Sequence, residues 1–339
     1  MIASRLFGHI GETPVHSFHL GQPDGLQAEV LQYGGILRCL SFPTRTGRKQ
    51  LVLGLPTLED YRRDTAYLGV IAGRFANRIA GAQFELDGQR FQLTANEALN
   101  HLHGGAVGFG RRVWQVLDAS SNELSLGYRS PAGEEGYPGT LQVTAKFQIQ
   151  ADAMELHLEA RTDAATPVNL TNHAYFNLSG DPQLPVAEHR LTVPADRYLP
   201  VIDAAMIPTG EIASVTDTPF DFRTGRPIAS TEKYLQLALA GGYDHCLVMA
   251  AGHRYTAELH SPESGITLRM ISPMPAVQFY AGQKLYQGHP HLGHGLCLEP
   301  QGFPNAPNEP RFPSTILRPD EVYSHLIRYE LRSDEPASS

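Results

Sequence analysis

The chain has 339 residues, a formal net charge of −8 and a pI near 6.0. With no extended Lys/Arg run, it lacks the basic patch and high pI of a nucleic-acid binder, and a strongly anionic substrate is disfavoured. Gly (32) and Pro (25) are abundant and charged residues make up only 18%, against a usual share of about 25%, which points to many turns between short strands.

The first nine residues contain one Arg and no long apolar stretch, so no signal peptide is expected. No apolar run reaches the roughly 18 residues of a membrane span. Cys39, Cys246 and Cys297 are far apart, odd in number and fit no zinc spacing. They are expected to be free thiols in a reducing, cytoplasmic compartment.

In chain order, strands are expected at 28–31, 51–53, 83–86 and 90–93, the last two joined by the turn-forming pair Asp87-Gly88. Another is expected at 123–128. Leu141, Val143, Ala145, Phe147 and Ile149 then alternate with polar residues, and Met154, Leu156, Leu158 and Ala160 repeat the pattern after a short break. Period-two alternation buries one face of a strand, so these two segments form a hairpin. A short helix over 231–240, closed by Gly241-Gly242, is followed by strands at 255–259, 266–270 and 325–331. The expected fold class is all-β: one large antiparallel β-sandwich over 1–332, with a disordered tail at 333–339.

Four polar clusters interrupt the strands: Gly73-Arg74-Phe75-Ala76-Asn77-Arg78-Ile79, Asn100-His101-Leu102-His103-Gly104-Gly105, the segment 169–178 containing Asn172-His173-Ala174-Tyr175-Phe176, and the segment 298–308 beginning Leu298-Glu299-Pro300-Gln301. Gly242-Tyr243-Asp244-His245 and Val277-Gln278-Phe279-Tyr280 are smaller. Aromatic faces with amides, carboxylates and guanidinium groups suit a neutral polyhydroxylated ligand. His173 is a candidate acid because an imidazole ordinarily titrates near neutral pH. Glu299 follows the apolar pair Cys297-Leu298, and burial would raise its pKa toward a working value. His101 and His103 would share a face if their segment is extended, and a His-x-His pair can also hold a metal. Trp114 is a core or rim aromatic.

Together, in this order and spacing, the clusters resemble the aldose 1-epimerase (galactose mutarotase) family, from Tyr33-Gly34-Gly35 and Val52-Leu53-Gly54 through to Glu299-Pro300-Gln301. The loop Gly133-Glu134-Glu135-Gly136-Tyr137-Pro138-Gly139 adds to the resemblance. It implies a large β-sandwich with an open concave face and a cofactor-free isomerase that interconverts the α and β anomers of a free aldose. It implies His173 as general acid and Glu299 as general base, with Asn77, Arg78, His103, Asp244 and Gln278 binding the sugar and no metal. Arg74, beside Arg78, would be a solvated or salt-bridged residue. Gly302 and Asn305 depart from the family pattern close to the proposed base, so they would bear on substrate preference.

Other readings stay open at this point. One is a non-catalytic carbohydrate-binding sandwich, since fold does not determine function. Another is a metal-dependent sugar enzyme using His101 and His103. A mutarotase of phosphorylated sugars would need more cationic residues than Arg74 and Arg78. A glycosidase pairing Asp244 with Glu299 would leave His173 idle. The expected partner is a small aldose, with the chain monomeric or homodimeric and without nucleic acid or membrane.

Overall fold

Alternation builds the framework. The strand Leu141–Ile149 buries every second residue and pairs along its whole length with Ala153–Thr162. The structure, a computed structural model, describes residues 3–229, 233–288 and 290–334. In it these two strands belong to a nine-stranded antiparallel sheet, where Ala153–Thr162 also pairs with Tyr323–Ser333, which in turn pairs with Ile266–Ile271. A five-stranded sheet formed by residues 3–50 adds Phe18, Leu20, Val30 and Leu37 to the same core.

The sheet that matters for function has six strands, in the order Tyr175–Phe176, Leu296–Gln301, Ala276–Tyr280, Asp244–Met249, Ala195–Tyr198 and Ala213–Ser214. Its inner face sends Leu247, Val277, Phe279 and Leu298 into the core with Leu156, Leu158, Ile327 and Met270 of the large sheet. Each such fully buried side chain contributes about 1.5–3 kcal/mol. Because successive side chains point to opposite faces, burying Leu247, Phe279 and Leu298 inward places Asp244, Gln278 and Glu299 on the opposite face.

The 141–160 and 83–93 hairpins form as expected, and the strands expected at 255–259 and 266–270 pair as Ala257–His260 and Ile266–Ile271. Asp87 and Gly88 have φ of 52° and 77°, the two positive values that a two-residue type I′ turn requires. Residues 51–53 do not form a strand. The Leu51 N–H donates to Leu40 and the Leu53 N–H to Tyr175, so the segment bridges two sheets without continuing a ladder. The expected helix is shorter, Leu235–Ala240, and ends on left-handed Gly241 with the Gly242 N–H on the Leu237 carbonyl. Residues 231 and 232 lie outside the described residues. Ser333 still pairs with Ile266, so the last strand runs into the segment expected to be tail. Residues 335–339 lie outside the described residues. Trp114 is a core residue and donates its indole N–H to the Phe109 carbonyl.

Candidate active site

The floor of the site comes from three neighbouring strands. Gln278 stands opposite Glu299 in the ladder, and Asp244 lies opposite Tyr280, one step along the same face. The Gln278 amide donates to Asp244 Oδ1 at 2.7 Å. Gln278 therefore spends its N–H on orienting Asp244, while its Oε1 has no partner among the described residues. Glu299 is 2% exposed, and its Oε2 likewise has no partner among the described residues.

One wall is a clamp of two short strands, Arg78–Ile79 and His101–Leu102, with Arg78 opposite Leu102. Asn77 and His103 bracket it with positive φ, 66° and 49°. The His103 N–H donates to the Asn77 carbonyl and the Asn77 N–H to His103 Nδ1, both at 3.1 Å. The following Gly104 has φ of 89°, and a Cβ there would sit 1.8 Å from the Gly73 carbonyl oxygen. Only glycine permits this approach.

The turn at His103 overturns the expectation that it shares a face with His101. His101 points away and spends both ring nitrogens at 2.7 Å, one on the Thr94 carbonyl and one on the Tyr137 hydroxyl. The His101/His103 metal pair is not formed. Arg74 also departs from expectation, being neither solvated nor salt-bridged. It is 1% exposed, and its guanidinium donates to the Ser130, Pro138 and Gly139 carbonyls and to the Ser130 and Thr166 hydroxyls. Only Arg78 of the two arginines faces the site. It is held by Glu97, which accepts from Nε at 2.6 Å and from Nη2 at 2.7 Å.

His173 follows the short strand Thr171–Asn172, which pairs with Ile71–Ala72. Its N–H donates to the Val70 carbonyl and its own carbonyl accepts from the Gly69 N–H. The ring lies among His103, Tyr175 and Tyr67, with centroid distances of 5.1, 5.2 and 6.0 Å. Its Nε2 is 3.8 Å from Glu299 Oε1. Asn77, Arg78, His103, His173, Asp244, Gln278 and Glu299 thus line one cavity of about 230 Å³. That is below the ~300–1,000 Å³ of drug-sized ligands and suits a single small ring. Sequence reading missed Tyr67, Glu97, Tyr175 and Tyr280, which line the same cavity.

Burial pushes His173 down to about 4 and His103 well below the usual histidine value. Burial, then the nearby Asp244, raises Glu299 well above the usual carboxylate range against the opposing pull of Arg78. Burial opposes the Arg78 charge, but Asp244, Glu97 and Glu299 outweigh it. The two histidines differ in freedom. A neutral His103 whose Nδ1 accepts the Asn77 N–H must carry its proton on Nε2, so it is a fixed donor. His173 Nδ1 lies 3.6 Å from the Cys297 sulfur, and its Nε2 faces Glu299 at 3.8 Å, where it can gain and lose a proton.

Ligand atoms of His103, His173 and Glu299 all lie within 4.8 Å of one another, a spacing compatible with a metal ion. The donor set does not fit one well. Metals bind the imidazole lone pair, and His103 has one nitrogen accepting a hydrogen bond and the other protonated.

A sequence model of the aldose 1-epimerase family matches residues 16–330. The chain is 39% identical to the galactose mutarotase of Bos taurus over 97% of this chain and 98% of that one. It is 35% identical to the aldose 1-epimerase of Escherichia coli K12, covering 90% and 92%. The chain belongs to the aldose 1-epimerase family. Among solved structures it resembles the GalM/aldose epimerase homologue from C. elegans (TM-score 0.85, 31% identity, 94% and 98% covered). It also resembles the galactose 1-epimerase from Lactobacillus acidophilus (TM-score 0.86, 28% identity, 98% and 99% covered).

The two departures from the family pattern do not reach the sugar face. The Gly302 N–H donates to Asn169, and a Cβ there would press on Thr315. Asn305 accepts from the Ala80 N–H and donates its own N–H to the Arg78 carbonyl, so it braces the Asn77-Arg78 segment from behind. Neither lines the cavity.

Proposed function

We propose that this chain is a cofactor-free mutarotase that interconverts the α and β anomers of a free aldose by opening and reclosing the ring. The observation that carries the reading is the pair His173–Glu299, two buried titratable groups 3.8 Å apart on the wall and floor of one small cavity. Ring opening needs a proton taken from the C1 hydroxyl and another delivered to the ring oxygen. Glu299 as carboxylate takes the first, and His173 as imidazolium delivers the second. The open aldehyde rotates about C1–C2 and recloses on its other face with the roles reversed. Burial disfavours charge on both groups, so the working state is a pair that holds one proton between them. Each proton transfer assists by about 10²- to 10⁴-fold.

His103 offers a fixed Nε2–H, Arg78 its guanidinium and Asp244 a carboxylate already oriented by Gln278. These hold the remaining hydroxyls while C1 reacts. A sugar-binding module would need neither titrating group, and the cavity has no arginine cluster for a phosphate: Arg74, the second cation of the motif, is spent inside the core. Cys39, Cys246 and Cys297 are all free thiols, and no helix among the described residues is long and apolar enough to cross a membrane. We assign the enzyme to the cytoplasm on the thiol chemistry.

The test is polarimetry of freshly dissolved α-D-galactose and α-D-glucose at neutral pH with a chelator present. Faster decay to the unchanged final rotation is expected. No acceleration with these sugars, nor with xylose or arabinose, would overturn the reading.

A further inference from the structure

We propose that Glu97 is a positioning residue for catalysis, locking the Arg78 guanidinium so that a single nitrogen, Nη1, is presented to the sugar. The inference rests on the mutarotase reading and extends it to a residue outside the motifs that carry the family resemblance. Arg78 is nearly buried, with its side chain 9% exposed, whereas the Glu97 side chain is 35% exposed at the cavity rim. Both carboxylate oxygens of Glu97 are used, one on Nε and one on Nη2. This leaves Nη1 without a protein acceptor among the described residues.

The loop that carries Glu97 is itself fixed. The Glu97 N–H donates to the Asn100 carbonyl and its carbonyl accepts from the Asn100 N–H. The neighbouring Asn96 side chain accepts from the Leu102 N–H and donates to the Leu102 and Gly105 carbonyls. The same backbone stretch then delivers His103. Glu97 and His103 are thus placed by one loop, and both line the cavity with Arg78.

An exposed ion pair contributes little. Here one partner is desolvated and the geometry is two-pronged, the form in which Arg–carboxylate pairs fix orientation. The pair also sets charge. Glu299 faces Asp244 and Cys246 on the next strand but one, Cys297 on its own strand, Tyr175 and Tyr329, and Arg78, His103 and His173 on the wall. Arg78 is the cation that pulls its proton affinity down. Glu97 neutralises that cation, so removing the Glu97 charge strengthens the pull.

The test compares Glu97→Ala and Glu97→Gln with wild type by polarimetric kcat and KM, the pH–rate profile, calorimetric sugar affinity and melting temperature. Glu97→Ala is expected to raise KM about tenfold with a smaller change in kcat. Glu97→Gln, which keeps one acceptor, should fall between. Both should move the acidic limb of the profile to lower pH. Wild-type KM and an unmoved profile in folded variants would overturn the proposal. So would a fall in melting temperature and activity with no movement of the limb, which would mark a purely structural role. Should the wild-type chain fail to accelerate anomerisation of any aldose, the mutarotase reading fails. The calorimetric comparison would still decide the clamp: weaker sugar binding in Glu97→Ala supports it, and equal binding contradicts it.

Discussion

Replacing Arg74 with lysine keeps the buried charge and removes the planar fork that satisfies it. Arg74 Nη1 serves the Pro138 and Gly139 carbonyls and the Thr166 hydroxyl at 2.8–3.1 Å, while Nη2 serves Ser130 at 2.6 and 3.3 Å. A single ammonium cannot reach both sets, so at least two charge-assisted bonds are lost with the cation still buried. At about 2 kcal/mol each, the cost is about 4 kcal/mol. At about 2.1 cal/mol/K per residue, the melting entropy of 339 residues is about 0.7 kcal/mol/K. The melting temperature should then fall by about 6 °C, read by calorimetry or circular dichroism, with kcat of the folded fraction within about threefold of wild type, since Arg74 does not line the cavity. Arg78→Lys should raise KM with a smaller fall in melting temperature, because a lysine there can still pair with the half-exposed Glu97 at the cavity rim. A melting temperature for Arg74→Lys within a degree of wild type would refute the reasoning.

Acid should destabilise the fold through its buried histidines. His173, His189, His245 and His325 are each pushed down to about 4. Their folded pKa lies below the unfolded value of about 6.5, so stability is full above pH 6.5 and falls as the pH drops from there toward 4. Each contributes up to about 3 kcal/mol. Denaturant titration of His325→Gln should show a shallower loss across that window; an unchanged slope would contradict the assignment. Gly104→Ala should fail to fold or lose several kcal/mol, because its Cβ would overlap the Gly73 carbonyl at 1.8 Å; wild-type melting would disprove that geometry. Excess Zn²⁺ should leave the polarimetric rate unchanged, because His103 has no free lone pair. Inhibition competitive with sugar would show that this tautomer is wrong.

The site residues were legible through the motifs and the family resemblance, which carry His173, Arg78, His103, Asp244, Gln278 and Glu299. The floor strands Asp244–Met249, Ala276–Tyr280 and Leu296–Gln301 were not expected, although a period-two reading around Phe279 and Leu298 orients Gln278 and Glu299. Tyr280 was within reach of the same period-two argument, being two residues beyond Gln278, and Tyr175 sat inside the quoted motif. Tyr67 and Glu97 left no such signal. Each lies in a loop where positive φ at Tyr67 or Ala98 sets the side-chain direction, and such turns carry no periodicity. The same physics misdirected the reading of His101: period two holds only while the chain is extended, and His103 leaves the strand at φ 49°. Arg74 was misread because its partners are backbone carbonyls brought from residues 130–139, which no local pattern reveals. Composition and alternation identified the sandwich, but the pairing of Tyr323–Ser333 with two distant strands is a long-range choice that local pattern does not encode.

The central claim is that one proton shared by His173 and Glu299 does the chemistry. The most direct measurement is the polarimetric kcat of Glu299→Gln and His173→Ala, with sugar affinity by calorimetry and folding by circular dichroism alongside. Each substitution should lower kcat by about 10²- to 10⁴-fold while the protein stays folded and still binds sugar. Wild-type turnover in both folded variants would contradict the account.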